Sequence, residues 1–505
     1  MTERPVASAS RTAVFYVAIF SLLWAMLPTL LFPNPPLDVV EGFAWGRDLA
    51  LGYTKHPPLQ AWLLEASFHV TGGHAFGAYW LSQICFVLAY VFIWSLGRDV
   101  GLSRPQSLLA LVATSCSFYF TLPAPEFNPN ILQIPVWAGM LLFFHRALRR
   151  GALTDWLILG LLAAAGLYAK YFAALLIGSI GLYALVFADA RRCLKTPGPY
   201  VAMATGAILF IPHVYWLLET DWLTFTYAAD RSMPAETWLD HLLYPANFLA
   251  GQIGSLAPVL LVLAAGLGLS GLRALLRARP NLVAAPGTQP DLRFMLWFTL
   301  APLAVVLLVS GVTGREFKQM WGASMFTLIG IVLVQLVANR TAVWSLRRAL
   351  GAAVAIQLLF LGVVTAQALV EPMFKSKPTR IHFPGDALAR VVTDAWRQAT
   401  DLPLAYVAGD MWPAAHATLF SPDRPSLFTD HTAAVAPWID PQDVQTRGVL
   451  VLWTGDSEVP TGTLAEIYPN RIRDGFADIP YAAPAEWPPL RVNWIIVPPG
   501  QMPEL

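Results

Sequence analysis

The sequence predicts an all-α polytopic membrane domain of about eleven transmembrane helices, followed by a C-terminal α/β domain outside the bilayer. Three observations carry that prediction. Of 505 residues, 56% are hydrophobic and only 13% are charged, against about 25% charged in a soluble domain. The apolar residues gather into runs long enough to cross a hydrocarbon core of about 30 Å. Lys and Arg then fall on alternate loops, as membrane orientation requires. The net charge of +1 provides no basic field, so nucleic acid is excluded as a partner.

The runs lie near residues 13–31, 74–96, 105–122, 130–146, 153–169, 172–190, 199–217, 246–272, 294–312, 320–338 and 350–369. The first follows Arg4 and Arg11, and its length and the many runs behind it mark a retained span rather than a cleaved signal. Cys85, Cys116 and Cys193 sit far apart in or beside apolar segments and match no metal or redox spacing.

With the N-terminus in the cytoplasm, the inner loops hold Arg4, Arg11, Arg98, Arg104, Arg146, Arg149, Arg150, Arg191, Arg192, Lys195, Arg273, Arg277, Arg279, Arg293, Arg340, Arg347 and Arg348. The outer loops hold only Arg47, Lys55, Lys170, Arg231, Arg315 and Lys318. That asymmetry sets the expected orientation. An odd number of spans puts residues 371–505 outside, after a membrane domain of residues 1–370. The tail alternates strand-like runs (Leu404 to Val407, Val449 to Trp453, Trp494 to Val497) with a helical stretch from Asp386 to Gln398, the pattern of a small α/β domain. Its Trp412, Trp438 and Trp453 read as core.

The first outer loop is the longest polar insertion among the early spans. After Pro33, Pro35 and Pro36, the segment Asp38 to Leu51 reads as an amphipathic helix placing Asp38, Glu41, Trp45 and Asp48 within an arc of about 80°. A second amphipathic stretch, Leu59 to His69, follows Gly52-Tyr53-Thr54-Lys55-His56-Pro57-Pro58. Together they predict interfacial helices over residues 38–72. Asp38 with Glu41 three residues on fits a helix cap as well as a catalytic acid, and spacing leaves both readings open. The later outer loops add Glu126, Asn128 and Asn130, then Lys170 and Tyr171, then Asp221, Trp222, Asp230 and Arg231, then Arg315, Glu316 and Lys318. Taken singly, each suits a snorkelling or loop-solvating role. Together they set acids on the first loop against isolated cations on several others, which suits a cavity holding a base beside an anion.

The run from Asp38-Val-Val-Glu41 through Tyr53-Thr-Lys-His56-Pro-Pro-Leu-Gln-Ala-Trp62 resembles the first periplasmic loop of the bacterial glycosyltransferase family 39 and aminoarabinose-transferase-like membrane enzymes. Phe127-Asn128-Pro-Asn130, Tyr168-Ala-Lys170-Tyr171-Phe172, Asp221-Trp222-Leu-Thr-Phe225, Gly409-Asp410 and Ser421-Pro-Asp-Arg-Pro425 are similar to segments in the same order in that family. The resemblance implies the C-type glycosyltransferase fold, a multi-pass protein of the bacterial inner membrane and a periplasmic C-terminal domain. It also implies an inverting transfer from a polyprenyl-phosphate sugar to an envelope glycolipid or glycan, such as lipid A or lipopolysaccharide core. The acceptor hydroxyl needs a carboxylate, and the leaving phosphate needs cations in a water-poor site.

By position in the motifs, Asp38 and Glu41 are the catalytic candidates. Lys170, His56, Lys55, Arg315 and Lys318 are candidates for the donor phosphate, and Tyr53, Glu126, Asn128, Tyr171, Asp221 and Arg231 for substrate. Where many relatives carry an aspartate in the second outer loop, this chain has Asn128, with Glu126 two residues earlier. Few ligand-type side chains converge by sequence, so no cofactor is expected and a divalent metal is not favoured. The sequence leaves open the sugar, the acceptor, including a secreted protein hydroxyl, and the oligomeric state. A transporter or lipid flippase is the rival reading, but no internal repeat supports it.

Overall fold

The computed structural model describes residues 4–231, 234–277, 289–338, 344–483 and 486–501. The predicted inner-loop cations Arg279 and Arg340 lie outside the described residues. The helical part runs α1 (Arg4–Leu31), α2 (Leu37–Gly46), α3 (Leu59–Val70), α4 (Gly77–Asp99), α5 (Arg104–Ser115), α6 (Pro129–Arg150), α7 (Leu153–Ala169) and α8 (Ala173–Val186). It continues with α9 (Ala188–Arg191), α10 (Gly198–Glu219), α11 (Leu223–Arg231), α12 (Asp240–Ser255), α13 (Ala257–Arg277), α14 (Gln289–Thr313), α15 (Ile329–Ala338) and α16 (Leu346–Leu369). Among the described residues, seven helices are long and apolar enough to cross a membrane, or eight if the bent α8 and α9 pair makes one span. The chain is a multi-pass membrane protein. Helix α7, of 17 residues, and the shorter α5 and α15 fill the other expected stretches. The expected run 246–272 is broken near Leu256, between α12 and α13.

The helix ends segregate as the loop charges predict. At one end Arg146 pairs with Asp99 at 2.6 Å, Asp291 holds His145 at 3.0 Å and also Arg149, and Arg293 pairs with Asp189 at 2.5 Å. At the other, Glu41 meets Lys55, Glu126 reaches α2, and Lys170 meets Asn130. Tyr119, just beyond α5, joins Gln252 of α12 to the Gln319 backbone there too.

Past α16 come α17 (Gly385–Ala399), β1 (Tyr406–Gly409), α18 (Met411–Phe420), β2 (Ser426–Thr429), α19 (Pro441–Arg447), β3 (Val449–Thr454), α20 (Thr463–Ile467), β4 (Gly475–Ile479) and β5 (Leu490–Val497). The sheet order is β2-β1-β3-β5-β4, with β1 parallel to β2 and β3, and β5 antiparallel to β3 and β4. The sequence reading found β1, β3, β5 and α17 but missed β2 and β4. Of the three tryptophans, Trp453 is core, while Trp412 and Trp438 are partly buried and pack against Phe383 and Tyr53.

The first loop departs from its expected form. Helix α2 stops at Gly46, and Leu49 takes a positive φ of 47°, so Asp48 leaves the acidic arc and accepts the Ser426 hydroxyl at 2.5 Å. Nor does α2 lie open on an interface. Residues Val39 to Gly46 are buried, against α3 on one side and α18 on another. A Cβ on Gly46 would stand 2.5 Å from the Ala61 carbonyl oxygen, so the glycine permits that close crossing. The tail locks on beside it. Arg424 lies 3.9 Å over the Phe68 ring and pairs with Glu65 at 2.5 Å, and Arg47 donates to the Arg424 carbonyl.

Removing one partner of a nearly buried pair strands the other. Arg424→Ala is therefore expected to cost about 3 kcal/mol and to loosen the tail. Thermal melting and limited proteolysis in detergent check it, the tail being released first.

Candidate active site

Helix α2 begins after Pro36, which offers no side-chain cap. Its orphan amide at Asp38 is instead met from another loop, donating to Glu126 Oε1 at 3.3 Å. The capping reading of Asp38 is thus replaced: Glu126 supplies the acceptor, and the Asp38 carboxyl is left for other partners. Gln60 of α3 fixes the same turn, donating to the Asp38 carbonyl at 2.9 Å and to the Phe127 carbonyl at 3.1 Å.

Asn128 explains the departure from the usual aspartate. Its Oδ1 accepts from the Asn130 and Ile131 amides at 3.0 and 3.2 Å, capping α6, and its side chain also hydrogen-bonds the Asp38 carboxyl. An amide can accept with its oxygen and donate with its nitrogen, which an ionised aspartate cannot.

Lys170 is presented by the end of α7. Gln133 of α6 donates to the Gly166 carbonyl at 2.7 Å and the Lys170 carbonyl at 3.2 Å, while its own oxygen accepts from Trp137. The ammonium donates to Asn130 Oδ1 at 2.7 Å and lies 4.9 Å over the Trp321 ring. Lys55 pairs with Glu41 at 2.5 Å and faces the Trp45 and Tyr227 rings.

Burial sets the electrostatics. It raises Asp38 above the usual carboxylate range, against the Asn128 hydrogen bond and the fields of Lys55, Lys170 and Arg380. It lifts Glu41 to about 7 against Lys55, and Glu126 to about 7, helped by the neighbouring Asp38 charge. Lys170 is lowered to about 7 by burial, opposed by Asp38. His56 is lowered to about 3 by burial, then by Lys170 and Lys55. It is therefore a neutral imidazole near pH 7, which would meet a phosphate as a hydrogen-bond donor.

Asp38, Glu41, Lys55, His56, Glu126, Asn128 and Lys170 thus share one site at one end of the helices. Tyr53 is fully buried, stacked at 5.3 Å on Trp45, with its hydroxyl taken by the Ala50 amide. Tyr171 stacks at 4.5 Å on Phe225 and bonds His213, which holds the Leu51 carbonyl. Both fix the loop around Lys55. Among the described residues the remaining candidates Arg315 and Lys318 make contacts of their own. Arg315 donates to the Ala229 carbonyl at 3.0 Å, and Lys318 pairs with Glu316 at 2.5 Å. Asp221 is exposed in a turn at φ 48°, and Arg231 is exposed where α11 ends.

Sequence reasoning missed Arg380, whose charge reaches both Asp38 and Glu126, and Asp430; Asp410, noted there only as part of a motif, follows β1 as Asp430 follows β2, and Asp430 feels the charges of Asp410 and Lys55. Three cations directly behind the last span, Lys375, Lys377 and Arg380, were the available signal. Among the described residues no group of three or more His, Cys, Asp or Glu side chains is arranged to hold a metal ion.

An ionised Asp38 is favoured by rising pH, and a charged Lys170 by falling pH through about 7. Any reaction needing both gives a bell-shaped profile of kcat/KM against pH. Lys170→Arg, which stays charged, is expected to move the basic limb upward by more than about one pH unit. A limb that stays put excludes Lys170 as its source.

Comparison with known proteins bears out the resemblance read from the first loop. Residues 55–216 match the family model described as dolichyl-phosphate-mannose-protein mannosyltransferase. The lipid A galacturonosyltransferase RgtD of Rhizobium johnstonii is 25% identical over 233 residues, 44% of this chain and 47% of that one. The lipopolysaccharide core galacturonosyltransferase RgtA of the same organism is 25% identical over 208 residues, 41% and 42% of the two chains. The chain thus spans less than half the length of these two relatives. A third, the core galacturonosyltransferase RgtB, is 22% identical over 441 residues, 85% of each chain. The crystal structure of ArnT from Cupriavidus metallidurans bound to undecaprenyl phosphate superposes with a TM-score of 0.59 at 13% identity, covering 95% of this chain and 97% of that one. The fold is therefore that of ArnT, a helical membrane region with a small C-terminal sheet.

Proposed function

We propose that this chain, a relative of polyprenyl-phosphate-dependent membrane glycosyltransferases, moves a sugar from a polyprenyl-phosphate donor to a hydroxyl of an envelope glycolipid, lipid A or lipopolysaccharide core. The named relatives make a galacturonosyl group the first donor to test. The observation that carries the reading is the convergence of Asp38, held by Asn128, with Lys55 and Lys170 at one end of the helices. We place that end in the periplasm of a bacterial inner-membrane protein, with about eleven crossings once the shorter helices α5, α7 and α15 are counted and α8 with α9 makes one. The loop charges support that orientation.

In the proposed step the Asp38 carboxylate accepts the proton of the acceptor hydroxyl, whose oxygen attacks the anomeric carbon opposite the phosphate. The bond from that carbon to the phosphate oxygen breaks, and polyprenyl phosphate leaves with the electron pair. Lys170 and Lys55 meet the charge on the departing phosphate, and neutral His56 offers it one N–H. Glu41 holds Lys55 in place.

An apolar groove of about 960 Å³ between α6, α7, α8 and α10 supports the donor assignment. It runs from Leu194 and Pro199 at the Asp99 end to Val214 and Leu218 near the site, and Trp216 packs on Gly52 beside the Lys55 loop. Such a furrow suits an isoprenoid chain with its phosphate at the site. The transfer is proposed to be metal-independent, Lys55 and Lys170 supplying the positive charge.

The test is transfer by the purified protein in nanodiscs from polyprenyl-phosphate galacturonate to lipid A or core oligosaccharide lipid, read by mass spectrometry with and without a chelator. Asp38→Asn is expected to lower kcat by about 10²- to 10⁴-fold while polyprenyl phosphate still binds, and the chelator is expected to change nothing. Asp38→Asn with undiminished turnover would remove the base from the mechanism. Solute or lipid translocation without sugar transfer would favour a transporter.

A further inference from the structure

A second hollow lies beside the site, on the other side of Glu126. It measures about 820 Å³ and is floored by Leu37, Pro123 and Glu126, with Lys375, Lys377 and Arg380 along its rim. The rim is a strap joining the end of α16 to the tail, and it is pinned at several points. The Asn34 amide donates to the Ile381 carbonyl at 3.1 Å, and the Asn34 side chain donates to the Arg380 carbonyl at 3.2 Å. Trp487 donates to the Lys375 carbonyl at 2.8 Å. The strap's backbone is thus held while its three cations stand exposed. Lys375 pairs with Glu371. Among the described residues no ion pair engages Lys377 or Arg380.

The same corner is apolar below. Phe32 at the end of α1 and Val364 in α16 line the hollow, and beside the strap Met373 and Phe374 are 65% and 83% exposed. A rim of cations over an exposed apolar edge, at the end of two membrane helices, matches a lipid whose headgroup is anionic. Arg380 links this hollow to the reaction, because its charge is felt by both Asp38 and Glu126.

We propose that this hollow is the acceptor port, and that Lys375, Lys377 and Arg380 select a glycolipid bearing phosphate near its accepting hydroxyl, drawn from the outer leaflet between the ends of α1 and α16. The proposal rests on the transferase reading and names the substrate property that this part of the site recognises. Its volume is in the range of sites for ligands of headgroup size. The donor, by contrast, comes from the α7 and α10 side, so the two lipids approach Asp38 from different edges of the helical bundle.

The experiment measures transfer and binding in nanodiscs of neutral phospholipid, with bisphosphorylated lipid A and its dephosphorylated form as acceptors. For Lys375→Ala/Lys377→Ala and for Lys377→Glu, KM for the phosphorylated acceptor is expected to rise about tenfold with kcat and donor KM held. Lys377→Arg should behave as the wild type. With dephosphorylated lipid A the wild type should already show the raised KM, and the variants should add nothing. Equal KM for both acceptors, or the same loss in the variants on both, overturns the port. So does restoration of the loss in neutral nanodiscs only by added anionic phospholipid, which would assign the cations to bulk lipid headgroups. If the wild type transfers nothing, the transferase reading falls. The port is then decided by native mass spectrometry of lipid A binding, where loss of phosphate or of the lysines must each weaken binding.

Discussion

The site depends on one constraint: a carboxylate at the start of α2 must stay usable while partly shut away from water. An isolated buried charge is prohibitively costly, and burial alone drives Asp38 toward its neutral form. What keeps the charged form accessible is a hydrogen bond from Asn128 and three cations reached through space, Lys55, Lys170 and Arg380. Each arrives from a different part of the chain, on the first loop, between α7 and α8, and behind α16. The fold can be understood as what brings those three to one carboxylate. Gln60, Gln133 and Asn34 are the amides that fix the backbones carrying Asp38, Lys170 and Arg380.

The arrangement also divides labour among the acids. Glu126 caps α2 from outside and so releases Asp38 from that task. Glu41 is paired with Lys55 and buried, where Asp38 is only half-buried. Three carboxyl groups that look equivalent in the sequence thereby take three physical roles, separated by what each one touches. The transferable feature is the pairing of a raised carboxylate with a lysine lowered to about 7, since perturbed groups brought together in this way mark a candidate site.

Much of this was legible in the sequence because membrane burial is a severe filter. The alternation of Arg and Lys between loops foretold which helix ends meet, and the ion pairs at the Asp99 end and the polar cluster at the Asp38 end follow it. Asp38, Lys55 and Lys170 stood out because ionisable residues in outer loops are few. Tertiary facts were not legible. Helix α2 ends at Gly46 because the chain must turn back over α3, and no periodic pattern of Asp38, Glu41, Trp45 and Asp48 reveals that. Tyr53 resembles a binding residue in sequence, yet its ring is sandwiched with Trp45 and Trp438, the latter nearly 400 residues away. Arg380 was counted with the tail, since only the docking of the strap at Asn34 returns it to the first loop. The break near Leu256 is flanked by Gly254 and Pro258, the latter in the first turn of α13, but both sit within an unbroken apolar run, which read as one span.

The central claim is that Asp38 and Lys170 act as one unit across the loop structure. The most direct measurement is a double-mutant cycle on kcat/KM with Asp38→Asn, Lys170→Met and both together. Residues acting as a unit are non-additive, so the double variant should be hardly slower than the worse single one. Losses that simply multiply would show that the two side chains work independently and would contradict the account.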